Sequence, residues 1–179
     1  TCDFLDISIQ SVIRQTIPPA EIILVQDGIV SNELEEFIDN LVKNNKIIKI
    51  IKLKVNLGLG LALAEGMKHC SNNLIMRMDS DDYSSPKRAK YLMDCIMKDG
   101  ADVVGCNIGE FYADFNKPSR IIKYKNRVPS GAMKKYLRDP VGHASVMFKK
   151  TSVDKSGGYT HCLFFEDTYL WLRMSKAKC

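Results

Sequence analysis

The first 105 residues alternate between two patterns of hydrophobic and polar positions. Four segments predict helices, because they carry apolar residues every three or four positions or open with a helix-start signal. Examples of such signals are Asn32 with Glu35, and Ser85 before Pro86. These segments are residues 4–15, 32–42, 59–70 and 86–98. Short apolar, largely β-branched runs predict strands at residues 21–26, 47–53, 74–78 and 103–106. Such alternation is typical of an α/β protein with a mostly parallel central sheet flanked by helices.

The pattern becomes less regular after residue 105. It predicts a hairpin at 109–123, a short helix at 132–138, a strand at 146–149, a turn at Gly157-Gly158 and a last helix at 167–177. No repeat or low-complexity linker divides the sequence. We therefore expect one domain over residues 1–179, with a first half at 1–105 and a second half at 106–179.

Composition narrows the class of protein. The chain has 179 residues, of which 45% are hydrophobic and 26% are charged, and no apolar run is long enough to span a membrane. The net charge of +5 is spread out and densest from Lys117 to Lys135. It predicts a solvated surface or contact with phosphates or an anionic membrane, and no nucleic-acid partner. The six cysteines form no C-x-x-C pair, which predicts reduced thiols and a cytoplasmic location.

Carboxylates follow two of the predicted strands. Asp27 comes after the run 21–26, and Asp79-Ser80-Asp81-Asp82 comes after the run 74–78. In an open α/β sheet, ligands bind beyond the carboxyl ends of the strands. Crowded carboxylates suit Mn²⁺ or Mg²⁺ bound together with substrate phosphates, although a solvated turn is an equal alternative. An EF-hand is excluded because Lys90 occupies the position of its bidentate Glu.

A further acidic pair, Glu166-Asp167, follows an aromatic run and opens the last helix. Its simple interpretation is a charge at a helix N-terminus, and its functional interpretation is a general base. By frequency alone, His143 is expected to be a structural residue, with an active-site role as the alternative. Trp171 is expected to be a core residue rather than a platform for a sugar. Arg77 is expected at the surface or at a sheet edge.

Several segments together resemble the inverting nucleotide-sugar glycosyltransferases of the GT-A fold, glycosyltransferase family 2. The resemblance covers nearly the whole chain, in the order found in the family. The segments are Ile13-Arg14-Gln15-Thr16, EIILVQDG at 21–28, Asn56-Leu57-Gly58-Leu59-Gly60, MDSDD at 78–82, and Gly157-Gly158-Tyr159 followed by Phe165-Glu166-Asp167, Leu170 and Arg173. No single segment is specific, but five in order are.

The resemblance implies a role for each matching residue. The nucleotide-sugar would be bound by Asp27, Asn56, Asp79 and Ser80, and the divalent Mn²⁺ or Mg²⁺ ion by Asp81 and Asp79. Asp167 would be the catalytic base, with Glu166 beside it orienting the base or the acceptor. Residues 1–105 would form the nucleotide-sugar half and residues 106–179 the acceptor-side half.

The resemblance also implies partners and a place in the cell. The donor would be a nucleotide-sugar such as a UDP-sugar, and the acceptor a glycan or lipid-linked glycan in polysaccharide or glycolipid synthesis. The enzyme would be cytoplasmic, in peripheral contact with the inner face of the membrane.

The sequence also departs from the family pattern. Gln26 replaces an Asp, Leu63-Ala64 replace an Arg-Asn pair, and the family's first strand precedes the first segment matched here. Two alternatives therefore stay open: a non-catalytic or incomplete sugar-nucleotide-binding domain, and a metal-dependent nucleotidyltransferase.

Overall fold

A computed structural model describes residues 2–112, 114–124, 140–162 and 164–179 of the chain. The helices are α1 (Cys2–Ile13), α2 (Asn32–Asn44), α3 (Leu59–His69), α4 (Arg88–Asp99), α5 (Lys150–Lys155) and α6 (Glu166–Lys176). The strands are β1 (Ile22–Gln26), β2 (Ile48–Lys52), β3 (Leu74–Met76), β4 (Val103–Gly105), β5 (Ile108–Glu110), β6 (Arg120–Ile122) and β7 (Val146–Lys149). The predicted order of elements is confirmed for the described residues up to β6.

The strands form a parallel pair, a three-stranded sheet and a hairpin. β1 and β2 pair in parallel, with Ile22 opposite Ile48. β7 lies between β3 and β4 and runs antiparallel to both, so β3 and β4 run parallel to each other. β5 and β6 form the antiparallel hairpin predicted at 109–123. Asp27 follows β1, and the acidic segment 79–82 follows β3. Both therefore lie beyond the carboxyl end of a strand.

Buried hydrophobic side chains form three clusters. One lies between α1, α2 and β2 and includes Leu5 and Ile38. A second lies between α4, β4 and β7. The largest joins β7 to α5 and α6 and contains the fully buried Phe148 and Leu170 together with Trp171. The expectation that Trp171 belongs to the core is confirmed.

The predicted N-cap of α2 and the predicted start of α4 are wrong by one and two residues. The N-cap of α2 is Ser31, whose side chain accepts a hydrogen bond from the Leu34 N–H at 3.3 Å, so Asn32 lies inside the helix. α4 begins at Arg88, because residues 86 and 87 form a turn. The short helix α5 was not predicted, and the helix predicted at 132–138 lies outside the described residues.

Two sequence expectations concern the whole chain. None of the helices in the described ranges has the length and apolar character needed to cross a bilayer. All six cysteines are free thiols, in agreement with the prediction of reduced cysteines.

Candidate active site

The turn after β1 is fastened to the loop after β2. Both carboxylate oxygens of Asp27 accept backbone hydrogen bonds from this loop, from the N–H of Leu57 at 2.7 Å and of Gly58 at 2.9 Å. Gly28 has a φ of +98°, and a Cβ at that position would lie 2.8 Å from the backbone nitrogen of Asn56. Only glycine fits this approach without strain. The structure thus brings Asp27 and Asn56 together.

A cavity of about 220 Å³ opens beside the same turn. Its wall includes Gly28, the highly exposed Ile29, and the side chains of Lys52 and Lys54 at the end of β2. Lys52 is held there by ion pairs of 3.0 Å with Glu35 and Asp39. The carboxyl ends of β1 and β2 therefore form a surface with both apolar and cationic groups.

The acidic loop after β3, residues 79–82, forms an ion pair with a buried arginine. Arg77 is only 8% exposed, and its guanidinium pairs with the carboxylate of Asp79. The predicted surface position of Arg77 is wrong, because this charge pair offsets the cost of burying the guanidinium, although β3 is an edge strand of its three-stranded sheet. The Ser8 hydroxyl of α1 donates to the backbone oxygen of Asp79 at 2.7 Å. The Asp79 side chain and backbone are thus both fixed.

A second buried arginine, Arg88 of α4, positions the backbone behind the acidic loop. Its guanidinium donates to the backbone oxygens of Arg77 at 2.7 Å and Ala144 at 2.9 Å. Arg88 therefore links the end of β3 to the segment that enters β7, which carries His143. Sequence analysis gave neither arginine a role.

The remaining carboxylates of the loop crowd one another. Asp81 and Ser80 are exposed, whereas Asp82 is half-buried. Burial, and then the neighbouring charges of Asp79 and Asp81, raise the pKa of Asp82. No three Asp, Glu, His or Cys side chains of the described ranges are grouped so as to enclose a metal ion alone. The loop thus offers excess negative charge on one or two free carboxylates, which suits a cation that is also bound by phosphate oxygens.

The acidic pair Glu166-Asp167 begins α6, one residue before the predicted start. The preceding Phe165 has a φ of +64°, in the left-handed region that bulky side chains rarely adopt. Glu166 is largely buried, with 15% of its side chain exposed. The Asp167 carboxylate accepts a hydrogen bond from the N–H of Thr168 at 2.7 Å. The two neighbouring carboxylates thus have different surroundings.

Glu166 lies against a buried pair of rings whose contact with each other the sequence did not predict. His143 Nε2 lies 2.9 Å from the Tyr159 hydroxyl, and His143 Nδ1 lies 3.5 Å from Glu166 Oε1. Burial, and then the charge of Arg77, lower the pKa of His143 to about 3. Burial also raises the pKa of Tyr159. The histidine is therefore neutral, and its contact with Glu166 is not an ion pair at neutral pH.

Contacts through intervening residues link these groups to one another. A Cβ at Gly60, just after the loop bound by Asp27, would lie 2.5 Å from the backbone oxygen of Thr160 and 3.4 Å from Cβ of Glu166. The first turn of α3 therefore touches the acidic pair. On the other side, Arg77 binds Asp79 and also acts electrostatically on the His143 ring. The link is completed by Arg88, which donates to the backbone oxygens of both Arg77 and Ala144, the residue after His143.

The architecture is that of the GT-A fold, as solved structures show. The chain matches TarS (residues 1–349) of S. aureus in complex with UDP at a TM-score of 0.75, with 17% identity, over 98% of this chain and 52% of that one. It matches a mannosyltransferase from Pyrobaculum calidifontis in complex with GDP-Man and Mn²⁺ at a TM-score of 0.70, with 12% identity, over 95% of this chain and 47% of that one. At these identities the likeness concerns the fold, and the predicted fold class is confirmed.

Sequence comparisons give the family. The model of Glycosyl transferase family 2 matches residues 2–156. The chain is 35% identical over 181 residues to the UDP-Gal:alpha-D-GlcNAc-diphosphoundecaprenol beta-1,3-galactosyltransferase of Escherichia coli, covering 98% of this chain and 64% of the relative. It is 32% identical over 172 residues to the amylovoran biosynthesis glycosyltransferase AmsE of Erwinia amylovora, covering 95% and 63%. The chain belongs to glycosyltransferase family 2, and it spans less than two thirds of the length of these relatives.

Proposed function

We propose that this chain transfers a hexosyl group from a UDP-sugar to an acceptor hydroxyl with inversion at the anomeric carbon. The observation that carries the proposal is the set of contacts that links three acidic groups: Asp27 after β1, the Asp79–Asp82 loop after β3, and the Glu166-Asp167 pair at the start of α6. Such a transfer needs one group of residues for the leaving nucleotide and another for the attacking hydroxyl. The UDP in the TarS complex and the UDP-Gal in the name of the E. coli relative support the choice of donor.

The donor would lie across the first two of these groups. Asp27 uses one lone pair of each carboxylate oxygen on the loop amides, and a carboxylate can accept about four hydrogen bonds. The remaining lone pairs are open to a base N–H. Asn56, Asp79 and Ser80 lie on the two loops beside it, and we assign them to the ribose and the sugar. Residues 1–105 thus act as the nucleotide-sugar half.

Mn²⁺ or Mg²⁺ would be bound by Asp81 and Asp79, next to the half-buried Asp82. After burial, the negative charges of Asp79 and Asp81 raise the pKa of Asp82, and a bound cation would relieve this repulsion. The Mn²⁺ in the P. calidifontis mannosyltransferase complex supports a divalent ion. When bound, such an ion neutralises charge on the leaving diphosphate.

The acceptor side is assigned to residues 106–179, with Asp167 as general base. Its carboxylate would take the proton from the acceptor hydroxyl, on the face of the sugar opposite the leaving diphosphate. Glu166 beside it would orient the base or the acceptor. Phe164 and Phe165, 75% and 73% exposed, precede the pair and provide apolar surface against which an acceptor can exclude water.

We assign the acceptor to the class of glycans and lipid-linked glycans, in polysaccharide or glycolipid synthesis. The names of the E. coli and Erwinia relatives, one for a diphosphoundecaprenol-linked acceptor and one for amylovoran biosynthesis, support this class. A lipid-linked acceptor calls for a cytoplasmic enzyme in peripheral contact with the inner face of the membrane. The net charge of +5 agrees with attraction to anionic lipids.

The test is Asp167→Asn in the full-length protein, with sugar transfer and UDP affinity measured together. The amide keeps the shape of the side chain but accepts no proton. We expect kcat to fall by about 10²- to 10⁴-fold, the usual contribution of a general base. The dissociation constant of UDP should change little, because Asp27 and the acidic loop are intact.

Asp154→Asn is the matched control, since it makes the same chemical change at an exposed position of α5. It should transfer sugar at the parent rate. If Glu166→Gln abolishes transfer while Asp167→Asn does not, the two roles are exchanged. Transfer at the parent rate by both variants would mean that the pair is only a helix start.

A further inference from the structure

The contacts around His143 define a chain of three polar groups that ends at Glu166. The ring is 8% exposed and lies between the Tyr159 hydroxyl and the Glu166 carboxylate, each facing a different ring nitrogen. Trp171 packs edge-on to the ring, with ring centroids 6.1 Å apart. The imidazole therefore has one orientation between two fixed groups.

We propose that His143 is a positioning residue, protonated at Nδ1, that fixes the Glu166 carboxylate beside the catalytic base. The inference rests on the proposed function, because it assigns Glu166 to orientation and leaves Asp167 as the base. Nothing in the motif that carries Glu166 points to His143, which lies 23 positions earlier in the chain.

The tautomer follows from the donors and acceptors present. A neutral imidazole carries one N–H, and an ionised carboxylate only accepts hydrogen bonds. A proton on Nδ1 faces this acceptor and leaves Nε2 to accept from the Tyr159 O–H, whose oxygen could otherwise accept from Nε2. The opposite tautomer would direct a lone pair at the carboxylate. The Nδ1–Oε1 distance of 3.5 Å is long for a hydrogen bond, and such contacts in unliganded active sites commonly shorten when substrate binds.

Three groups from different elements face the ring or act on it: the Glu166 carboxylate on α6, the uncharged Tyr159 hydroxyl in the preceding loop, and the Arg77 guanidinium at the end of β3. The Glu166 carboxylate favours a protonated ring, whereas burial and Arg77 favour a neutral one. Burial, and then the positive charge of Arg77, lower the pKa of His143 to about 3. A neutral donor can orient Glu166 without neutralising it.

A pair of substitutions separates positioning from simple filling of space. In His143→Asn the side-chain amide nitrogen is bonded to Cγ, as Nδ1 is, so it can still donate to Glu166. In His143→Gln the amide is one bond further out, on the side of Nε2. Since a displacement of about 1 Å can cost ~10²-fold in rate, we expect kcat of the Gln variant to fall by roughly that factor. The Asn variant should remain within about tenfold of the parent, and UDP affinity should be unchanged in both.

A spectroscopic measurement tests the tautomer without any assay of activity. The ¹⁵N chemical shifts of an imidazole distinguish a protonated from a bare nitrogen, and the chain has only three histidines, so the His143 substitutions assign its signals. We expect a neutral ring with the proton on Nδ1 from pH 8 to pH 5. Tyr159→Phe removes the donor to Nε2 and should shift the Nε2 signal most.

The His143 substitutions and the ¹⁵N measurement test the positioning role separately from the role of Asp167. A proton on Nε2, a ring that titrates near pH 6.5, or a Gln variant at least as active as the Asn variant would overturn the inference. None of these results concerns the base. Failure of the proposed function would instead appear as an unchanged rate in Asp167→Asn, and the ¹⁵N measurement would still decide the tautomer.

Discussion

Replacing Glu21 by Gln should weaken the protein in a way that depends on pH. The Glu21 carboxylate, just before β1, forms an ion pair of 2.8 Å with Lys49 of β2. It also accepts hydrogen bonds from the Ser71 N–H at 2.7 Å and the Asn72 amide at 3.0 Å, both in the loop before β3. These contacts join three parts of the framework that positions Asp27 and the acidic loop.

The magnitude follows from the effect of these contacts on the carboxyl group. The Lys49 ammonium, which donates a hydrogen bond to the carboxylate, lowers the pKa of Glu21 most. Burial opposes this effect and the donors of the loop add to it, so the pKa falls from 4.5 to about 2. Each pH unit of difference between the folded and unfolded chain is worth about 1.36 kcal/mol, which gives an upper bound of about 3.4 kcal/mol. Because the Lys49 side chain is 53% exposed, solvent screens the pair, and we expect about 1–2 kcal/mol.

The sign is set by which state binds the proton more tightly. Between pH 4.5 and pH 2 the unfolded chain holds a proton at Glu21 that the folded chain does not, so stability falls as the pH falls. Above pH 4.5 the contribution is fully present. Glu21→Gln should therefore be less stable than the parent at pH 7, and the difference should shrink as the pH approaches 2.

Urea unfolding at a series of pH values measures the difference directly, since other titrating groups are common to both proteins. Glu36→Gln is the control, because it removes one negative charge from an exposed position of α2. A Glu21→Gln variant that is as stable as the parent at pH 7 would refute the reasoning. So would a deficit of the same size at pH 7 and pH 3.

Three further substitutions test the site itself. Asp27→Ala should weaken UDP binding by roughly 10- to 150-fold, the value of one lost charge-assisted hydrogen bond, and an unchanged dissociation constant by calorimetry would exclude the base contact. Asp81→Ala should abolish the enhancement of UDP affinity by Mn²⁺, and a variant that keeps it would exclude Asp81 as a ligand. Gly60→Ala places a methyl group 2.5 Å from the Thr160 backbone oxygen. The free energy of unfolding, measured by thermal unfolding, should fall by about 1–3 kcal/mol, and sugar transfer should slow because Glu166 moves. Parent values for both would mean that the loop shifts without cost.

Local sequence determined the elements and the positions of the acidic groups. Runs such as 21–26 carry side chains that suit a pleated, half-buried surface, and the amphipathic spacing of residues 34–42 suits a helix. Carboxylates directly after such runs lie at the carboxyl ends of strands whatever the rest of the chain does. For this reason Asp27 and Asp79 could be predicted from short segments alone, whereas the pair at 166–167 was predicted as the start of a helix.

Direction and pairing of the strands needed the tertiary structure. The run at 146–149 is a strand on its own composition, yet nothing in four residues states that it lies antiparallel between β3 and β4. Helix starts also depended on geometry: both Ser31 and Asn32 are good caps, and the backbone at Ser31 is extended where the helix begins. A short motif cannot decide between adjacent capping residues.

Burial and charge pairing at the site were decided only by the fold. Arg77 stands in an ordinary alternation of a strand, and its burial became favourable only because Asp79 turns back onto the guanidinium. His143, Tyr159 and Glu166 are far apart in the sequence and meet because β7, the turn before α6 and α6 itself pack around one core. Local sequence therefore determined which chemical groups follow the strands. Long-range packing determined which of these groups are buried, neutral or paired, because desolvation and Coulomb energies depend on neighbours that only the folded chain provides.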